Sequence, residues 1–356
     1  MKKRRNLLVD VSAHGLGHLA QVAPLIARLK AASSDLHVTV RSAYSPALVE
    51  QFIGCDLHYA PLPPEPTLEM YGPLSVNKDA TEAAFRRFHD AWAQNVSVRA
   101  EIMSEFEPDL LVSDIPYVSL AAAERLSLPA VALCCYNWRD ARQFFTKTHD
   151  RIGEQIERAY QSACVFLQTT PHMPMEYLSN RRSIGPLARI GARRGAELRR
   201  LLDVPPGQKL VLVTFGGSPG DHSFRLPRDA DIFWIVRDAS QIDAPRAANL
   251  ADLPMPFIDV LASVDAVVSK EGYGTLAEAA CNGVRLLMLT RQDWPETPFF
   301  VAWAKEHVQF SELPLDCGVE EFRQALEFLL SRPPAPAVER SGIAEAADVI
   351  AALICT

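Results

Sequence analysis

The sequence predicts an α/β fold in two successive halves, each a mostly parallel sheet wrapped by helices. Three observations predict it. Short apolar runs that read as strands alternate with helical patterns along both halves. Glycine turns directly follow several of those strands, in AHGLGHLAQ, GGSPG and SKEGYG. A stretch rich in Gly, Pro and Arg, Ser183–Gly195, separates the two runs. In sheets of this kind ligands bind beyond the carboxyl ends of the strands, and two such sheets facing each other make a cleft.

In the first half, Asn6–Ser12 is a short apolar strand, followed by a glycine turn and a helix from about Leu19 to Lys30. Leu36–Arg41 alternates as a second strand, and Asp109–Ser113 and Ala130–Leu133 follow in the same style. The Pro-rich stretch Pro61–Ser75 is excluded from a central strand and is expected as a loop at the edge of the cleft. The second half begins near Lys209, where KLVLVTF, IFWIV, DAVVS and RLLML read as strands. A last helix, Gly342 to Cys355, follows a PPAPAV linker and is expected to pack back on the first domain. The expected domains are 1–188, 189–336 and this terminal segment, 337–356.

With 48% hydrophobic and 22% charged residues, the 356-residue chain has the composition of a soluble globular protein with room for two cores. A net charge of −7 argues against a nucleic-acid partner. Only Leu7–Val11 follows the opening KKRR before a polar turn, too short for a signal-peptide core, and no run is long enough to span a bilayer. A cytoplasmic protein is expected. The seven cysteines are scattered without a CxxC pair, so neither a disulfide framework nor a zinc site is indicated. Cys134 and Cys135, in an apolar run, read as buried free thiols.

Ser269 to Phe300 carries the strongest chemical signal: a strand end, a glycine turn, a helix with one acid, another strand and a polar loop. A glycine turn that opens a helix presents free N–H groups and the positive end of the helix dipole, which suits a diphosphate. Gly272, Gly274 and Thr275 supply that turn, Lys270 supplies a cation, and Glu278 is placed to reach a ribose hydroxyl. Gly217 and Ser218 of GGSPG are further diphosphate candidates. Downstream, Arg291, Gln292, Asp293 and Glu296 form a polar cluster suited to a sugar; a solvated loop is the plainer reading.

The first glycine turn holds Gly15 and, at the helix start, His18. Read as GxGxxA, with Arg41 ending the second strand, it could instead bind a dinucleotide with a phosphorylated ribose. On the favoured reading the glycines approach a sugar and His18 is a base, its imidazole kept neutral by the helix N-terminus. Asp114, at a strand end in the same half, would hold the other ring nitrogen; alternatively it caps the helix near Tyr117.

These motifs together resemble the GT-B superfamily of nucleotide-sugar glycosyltransferases over nearly the whole chain. GLGH and EGYGTLAEA resemble segments of both the peptidoglycan N-acetylglucosaminyltransferase and plant natural-product glucosyltransferases, GGSPG is similar to a turn of the former, and VSDIPY resembles a segment of the latter. HGLGH, VSDIPY, FGGSP, SKEGYGTLAEA and RQDWPETPFF together resemble more closely the N-terminal glycosyltransferase-like domain of plant arabinose kinases. No glycine-rich kinase loop is present, so kinase activity does not carry over.

The resemblance implies two Rossmann-like domains facing across a cleft, the GT-B fold, with the acceptor on the first and the donor on the second. It implies that His18 is the catalytic base, Asp114 its partner and Glu278 the ribose ligand. The phosphate-binding histidine and serine of the plant segment fall on Lys270 and Thr275. The sequence departs from those families at WPETPFFVAW, where sugar-contacting glutamines and asparagine are replaced, and lacks the tryptophan that stacks on uracil. The base is therefore left open and expected near Met255–Ile258, contacted through the backbone of Met255 and Phe257. Gly15, Trp138 and Arg139 are candidate acceptor contacts.

The implied function is an inverting, metal-independent transfer of a hexosyl or pentosyl group, with a nucleotide-diphosphate sugar as substrate, no cofactor and no metal. A nucleotide-sugar hydrolase, an epimerase and a non-catalytic nucleotide-sugar-binding module are the alternatives.

Overall fold

The computed structural model describes residues 5–54, 57–71, 75–148, 150–215, 226–229, 231–239 and 246–355. The chain divides into two compact units, Met1–Leu187 with Ser341–Thr356, and Ala188–Arg340.

In the first unit the strands are β1 (Arg5–Val11), β2 (Leu36–Ser42), β3 (His58–Pro61), β4 (Leu110–Asp114), β5 (Ala130–Cys134), β6 (Val165–Thr169) and β7 (Arg181–Ile184). They pair in parallel in the order β3-β2-β1-β4-β5-β6-β7. The helices are α1 (Gly17–Ala32), α2 (Pro46–Ile53), α3 (Lys78–Asp90), α4 (Trp92–Ser104), α5 (Tyr117–Arg125), α6 (Trp138–Thr146) and α7 (Arg151–Gln161).

In the second unit the strands are β8 (Lys209–Thr214), β9 (Ile232–Val236), β10 (Ala247–Asn249), β11 (Ala266–Lys270), β12 (Arg285–Thr290) and β13 (Phe310–Pro314). They too are parallel, in the order β10-β9-β8-β11-β12-β13. The helices are α8 (Gly195–Leu201), α9 (Phe257–Ser263), α10 (Tyr273–Asn282), α11 (Thr297–His307) and α12 (Val319–Ser331). Helix α13 (Gly342–Ile354) returns to the first unit.

Each sheet has the doubly wound order of a Rossmann-like fold, so the α/β class read from the sequence holds in both units. Strand order reverses between β1 and β4 in the first sheet and between β8 and β11 in the second. At such a reversal the loops leaving the carboxyl ends part in opposite directions and leave a crevice. Val11 lies opposite Asp114 in the first reversal, and Thr214 opposite Ser269 in the second.

Packing explains which strands were readable. β4 and β5 are buried at every position, as is the centre of β8, so their letters are almost wholly apolar. Edge strands carry a mixed pattern: β7 exposes three of its four residues, and only one of the five residues of β13 is buried.

The core of the first unit joins Val9, Val40, Val112 and Leu133 of the sheet to Leu19, Val22 and Ile26 of α1 and to Ile343, Ala346 and Ile350 of α13. The second unit packs Val211, Trp234, Val268 and Leu287 against Phe322 and Leu326 of α12. Among the described residues no helix is long and apolar enough to cross a membrane.

Helix α13 is seated by two glycines in contact. A Cβ at Gly342 would stand 1.9 Å from the Gly185 carbonyl oxygen, and one at Gly185 would stand 2.9 Å from the Gly342 nitrogen. Only hydrogen side chains allow that approach. Gly342→Ala is therefore expected to destabilise the first unit by about 1–3 kcal/mol, the range for overpacking a tight site. Urea unfolding followed by circular dichroism measures it.

Candidate active site

Both strand-order reversals gather the residues that the sequence singled out. In the first unit the chain leaves β1 through Gly15, whose φ of +89° is left-handed and favours glycine, and enters α1 at Gly17. His18 stands in the first turn of α1, and Asp114 ends β4. The Ser12 N–H donates to the Asp114 carbonyl at 2.8 Å, tying the two strand ends. The His18 Nδ1 then lies 2.9 Å from Asp114 Oδ1. Both side chains are buried, Asp114 completely and His18 to within 4%. The other ring nitrogen, Nε2, lies 3.4 Å from the Tyr136 hydroxyl.

The expectation that the helix N-terminus lowers the His18 pKa is wrong. Burial does push the imidazole down, but the Asp114 carboxylate overrides it through charge and hydrogen bond and lifts His18 to about 10. A full charge in contact outweighs the partial charge of a helix end. Burial pushes the Asp114 carboxyl up as well, so the pair as a whole holds its proton. Cys134, at the end of β5, acts on both; burial opposes its ionisation, yet hydrogen bonding with Cys135 and the influence of His18 leave the thiol below its ordinary value.

Two alternative readings for this unit do not hold, and two acceptor candidates can be placed. Asp114 does not cap α5; the Tyr117 and Val118 N–H groups donate to Glu65 of the Pro-rich loop, each at 3.2 Å. Arg41 is fully buried and donates twice to Asp10, at 2.7 and 2.6 Å, so it is no ribose-phosphate ligand. Trp138 is fully buried against His14 and Tyr136, and Arg139 is held by Asp140, Glu157 and the Tyr177 ring. Trp138 is closed off from solvent, Arg139 is partly exposed, and Gly15 is exposed.

In the second unit Lys270 ends β11 and Gly272 precedes α10, whose first turn has no side-chain cap. The Gly272 φ of −179° is extended backbone that any residue adopts, so its value there is small size and not conformational freedom. Gly274 and Thr275 lie in the first turn of α10. Burial, aided by the Arg291 charge, lowers Lys270 to about 8. Gly217 and Ser218 lie outside the described residues.

Glu278 is buried on α10, and Arg189 Nε donates to its Oε1 at 2.6 Å. The Arg189 guanidinium also lies 6.0 Å from the Phe257 ring, so Glu278, Arg189 and Phe257 form one neighbourhood, with Met255 buried just upstream of α9. Asn282 fixes the approach of this segment by accepting from Gly191 N and donating to the Arg189 carbonyl, each at 3.0 Å.

Of the sugar candidates, Arg291 is paired with Glu271 and its guanidinium lies 3.4 Å from the centre of the Trp294 ring. Glu296 accepts from Trp294 Nε1 at 2.9 Å. Gln292 and Asp293 are exposed. The cluster therefore splits into a braced pair and an outward pair. Sequence reasoning missed Tyr136, Glu271 and Arg189. Glu271 sits inside the SKEGYG motif, so its place beside Lys270 was a usable signal; nothing in the letters separates Arg189 from Arg193 or Arg194.

The geometry defines the class: two Rossmann-like units with polar residues at both switch points, the fold of GT-B glycosyltransferases. No family model matches the chain. It is similar to CalG4, the calicheamicin glycosyltransferase (TM-score 0.64, 16% identity, 99% of each chain), and to UGT89C1 of Arabidopsis thaliana complexed with UDP (TM-score 0.62, 16% identity, 99% of this chain and 100% of that one). Among curated proteins it is similar to an L-arabinokinase of Arabidopsis thaliana, 24% identical over 343 residues, 89% of this chain. The chain spans 30% of that relative's length.

The Arg189–Glu278 pair makes a measurable stability claim. Arg189→Gln leaves a buried carboxylate unpaired and is expected to cost about 3 kcal/mol at neutral pH. Without Arg189, burial raises the Glu278 pKa above its unfolded value without opposition. The penalty is then small where the carboxyl is protonated in both states and grows as pH rises through the ordinary glutamate range, about 4.3. Guanidinium unfolding across pH 4–8 in wild type and variant checks both sign and size.

Proposed function

We propose that this protein is an inverting glycosyltransferase that works without a metal, moving a hexosyl or pentosyl group from a nucleotide-diphosphate sugar to an acceptor hydroxyl. The observation that carries the reading is the buried His18–Asp114 pair at the carboxyl edge of the first sheet, where strand order reverses.

In the proposed reaction Asp114 accepts from the Nδ1–H of His18 and fixes the ring. Nε2 takes the acceptor proton in the enzyme form that has released the proton His18 holds up to about pH 10, so transfer should speed up as pH rises toward that value. The acceptor oxygen attacks the anomeric carbon as its proton passes to His18. The bond from that carbon to the diphosphate breaks on the opposite face, which inverts the configuration, and the nucleoside diphosphate leaves with the electron pair. Lys270 and the N–H groups opening α10 balance the charge that develops on it. Glu278 accepts from ribose hydroxyls while Arg189 opposes the burial that raises its carboxyl. The backbone at Met255 and Phe257 borders the base, and Gln292 and Asp293 are the outward groups for the sugar. Similarity in fold to a structure solved with UDP supports a nucleotide diphosphate as the donor's leaving part.

His18→Ala is expected to abolish transfer while changing the Kd for UDP less than threefold. Turnover by NMR with a panel of sugar nucleotides and calorimetry with UDP test it, and unchanged turnover would reject His18 as the base. Free sugar released without any acceptor would point to hydrolysis instead. Lys270 gives a second test. It is cationic below about 8 and loses its charge above, so UDP affinity is expected to fall as pH rises past 8. Lys270→Met should weaken binding about tenfold at pH 7, the size of one charge-assisted hydrogen bond, and flatten that pH dependence.

A further inference from the structure

His18, Asp114 and Cys134 come from three separate segments, the start of α1 and the ends of β4 and β5. Their donor atoms, a ring nitrogen, a carboxylate oxygen and a thiol sulfur, all lie within 4.8 Å of one another. Asp114 and Cys134 are fully buried, and only an edge of His18 reaches the surface. A second observation is independent of that spacing. Asp114 Oδ2 is buried and has no hydrogen-bond partner among the described residues, although Oδ1 is satisfied by His18. A buried carboxylate oxygen left unpaired is costly, and a cation is one of the few partners that removes the cost.

We propose that His18, Asp114 and Cys134 form a binding site for a borderline-soft divalent cation of the Zn2+ class, and that its occupancy silences the base. One nitrogen, one oxygen and one sulfur donor suit Zn2+ and not the oxygen-seeking Mg2+ or Ca2+. Three protein donors leave a fourth position, which falls to water on the open side of His18. A tetrahedral ion needs its donors roughly 3.3–3.7 Å apart, about an ångström inside the 4.8 Å that bounds the three donors here. The surroundings already orient the donor: Gln21 Nε2 lies 4.0 Å from the Cys134 sulfur, while Gln21 Oε1 accepts from Thr169 at 3.0 Å and so fixes which end of the amide faces it.

Cation binding makes no assumption about the reaction; only the inhibition rests on His18 being the base of the proposed transfer. An ion on Nδ1 displaces the proton that Asp114 holds there, and the ring's one remaining proton then sits on Nε2. The atom that would take the acceptor's proton has no lone pair, so binding and transfer exclude each other. This differs from a metal that assists the leaving diphosphate, because the site lies wholly within the first unit.

The whole chain, reduced with a thiol-free reductant, is titrated with Co2+ alone. One equivalent is expected to produce tetrahedral visible bands and a thiolate-to-cobalt charge-transfer band in the near ultraviolet, both bleached when Zn2+ displaces it. In Cys134→Ser the charge-transfer band should vanish and Zn2+ affinity should fall at least tenfold, while Cys135→Ser keeps both. Thermal unfolding provides a check on folding: Zn2+ should raise the midpoint of wild type and of Cys135→Ser but not of Cys134→Ser. No charge-transfer band in the wild type, or one that survives in Cys134→Ser, overturns the site. If the band behaves as expected but Zn2+ leaves transfer unaffected, the cation site stands and it is the assignment of His18 as base that fails.

Discussion

The parallel pairing of β1 with β4 is the constraint on which the first unit's chemistry depends. It sets Val11 opposite Asp114, and the next N–H, from Ser12, closes on the Asp114 carbonyl. A slip of one residue would turn the Asp114 side chain to the other face of the sheet and away from His18. Nothing local to either segment could bring them together, since 96 residues separate the two in sequence. The register is itself set by burial, because Leu110 to Val112 and Leu7 to Val9 pack among core residues that would otherwise face water. An ordinary hydrophobic pattern thus fixes a contact between two polar groups.

The two units solve the same problem with different materials. In the first, a carboxylate and an imidazole are taken out of water together, and each shifts the other's proton affinity. In the second, Glu278 is taken out of water with Arg189, while Lys270 is left among Arg291, Glu271 and Glu296 with its proton affinity lowered. Burial is the common cause. It makes each charge sensitive to its neighbours, and that sensitivity separates a site from a set of surface polar residues.

Much of this was legible in the sequence. The central strands β4, β5, β8 and β11 are apolar runs because almost every side chain in them is buried, and the turns at 15–17 and 272–275 announce themselves by glycine. His18, Asp114 and Glu278 stood out because a polar residue in an apolar setting needs a partner. What stayed hidden was the identity of the partners. Arg189 lies 89 residues from Glu278 in an arginine-rich stretch, and Glu65 reaches the start of α5 from 52 residues away. Long-range pairing is a property of the packed sheet and leaves no local pattern. The His18 pKa failed for the same reason: the helix end was visible in the letters, but the contact that overrides it was a tertiary fact. Trp138 misled because an aromatic after a strand reads equally as a ligand platform or as core.

The contact between Gly185 and Gly342 has a consequence for how the molecule is made. Helix α13 completes the core of the first unit, yet it is encoded after the entire second unit. During synthesis one side of α1 lacks the cover that α13 supplies until residues 342–354 emerge. During that interval the second unit is free to fold by itself, because all its strands lie within one continuous stretch. Synthesis thus favours completing the later-encoded unit before the earlier one, and truncation near residue 340 would leave an apolar strip on the first unit uncovered.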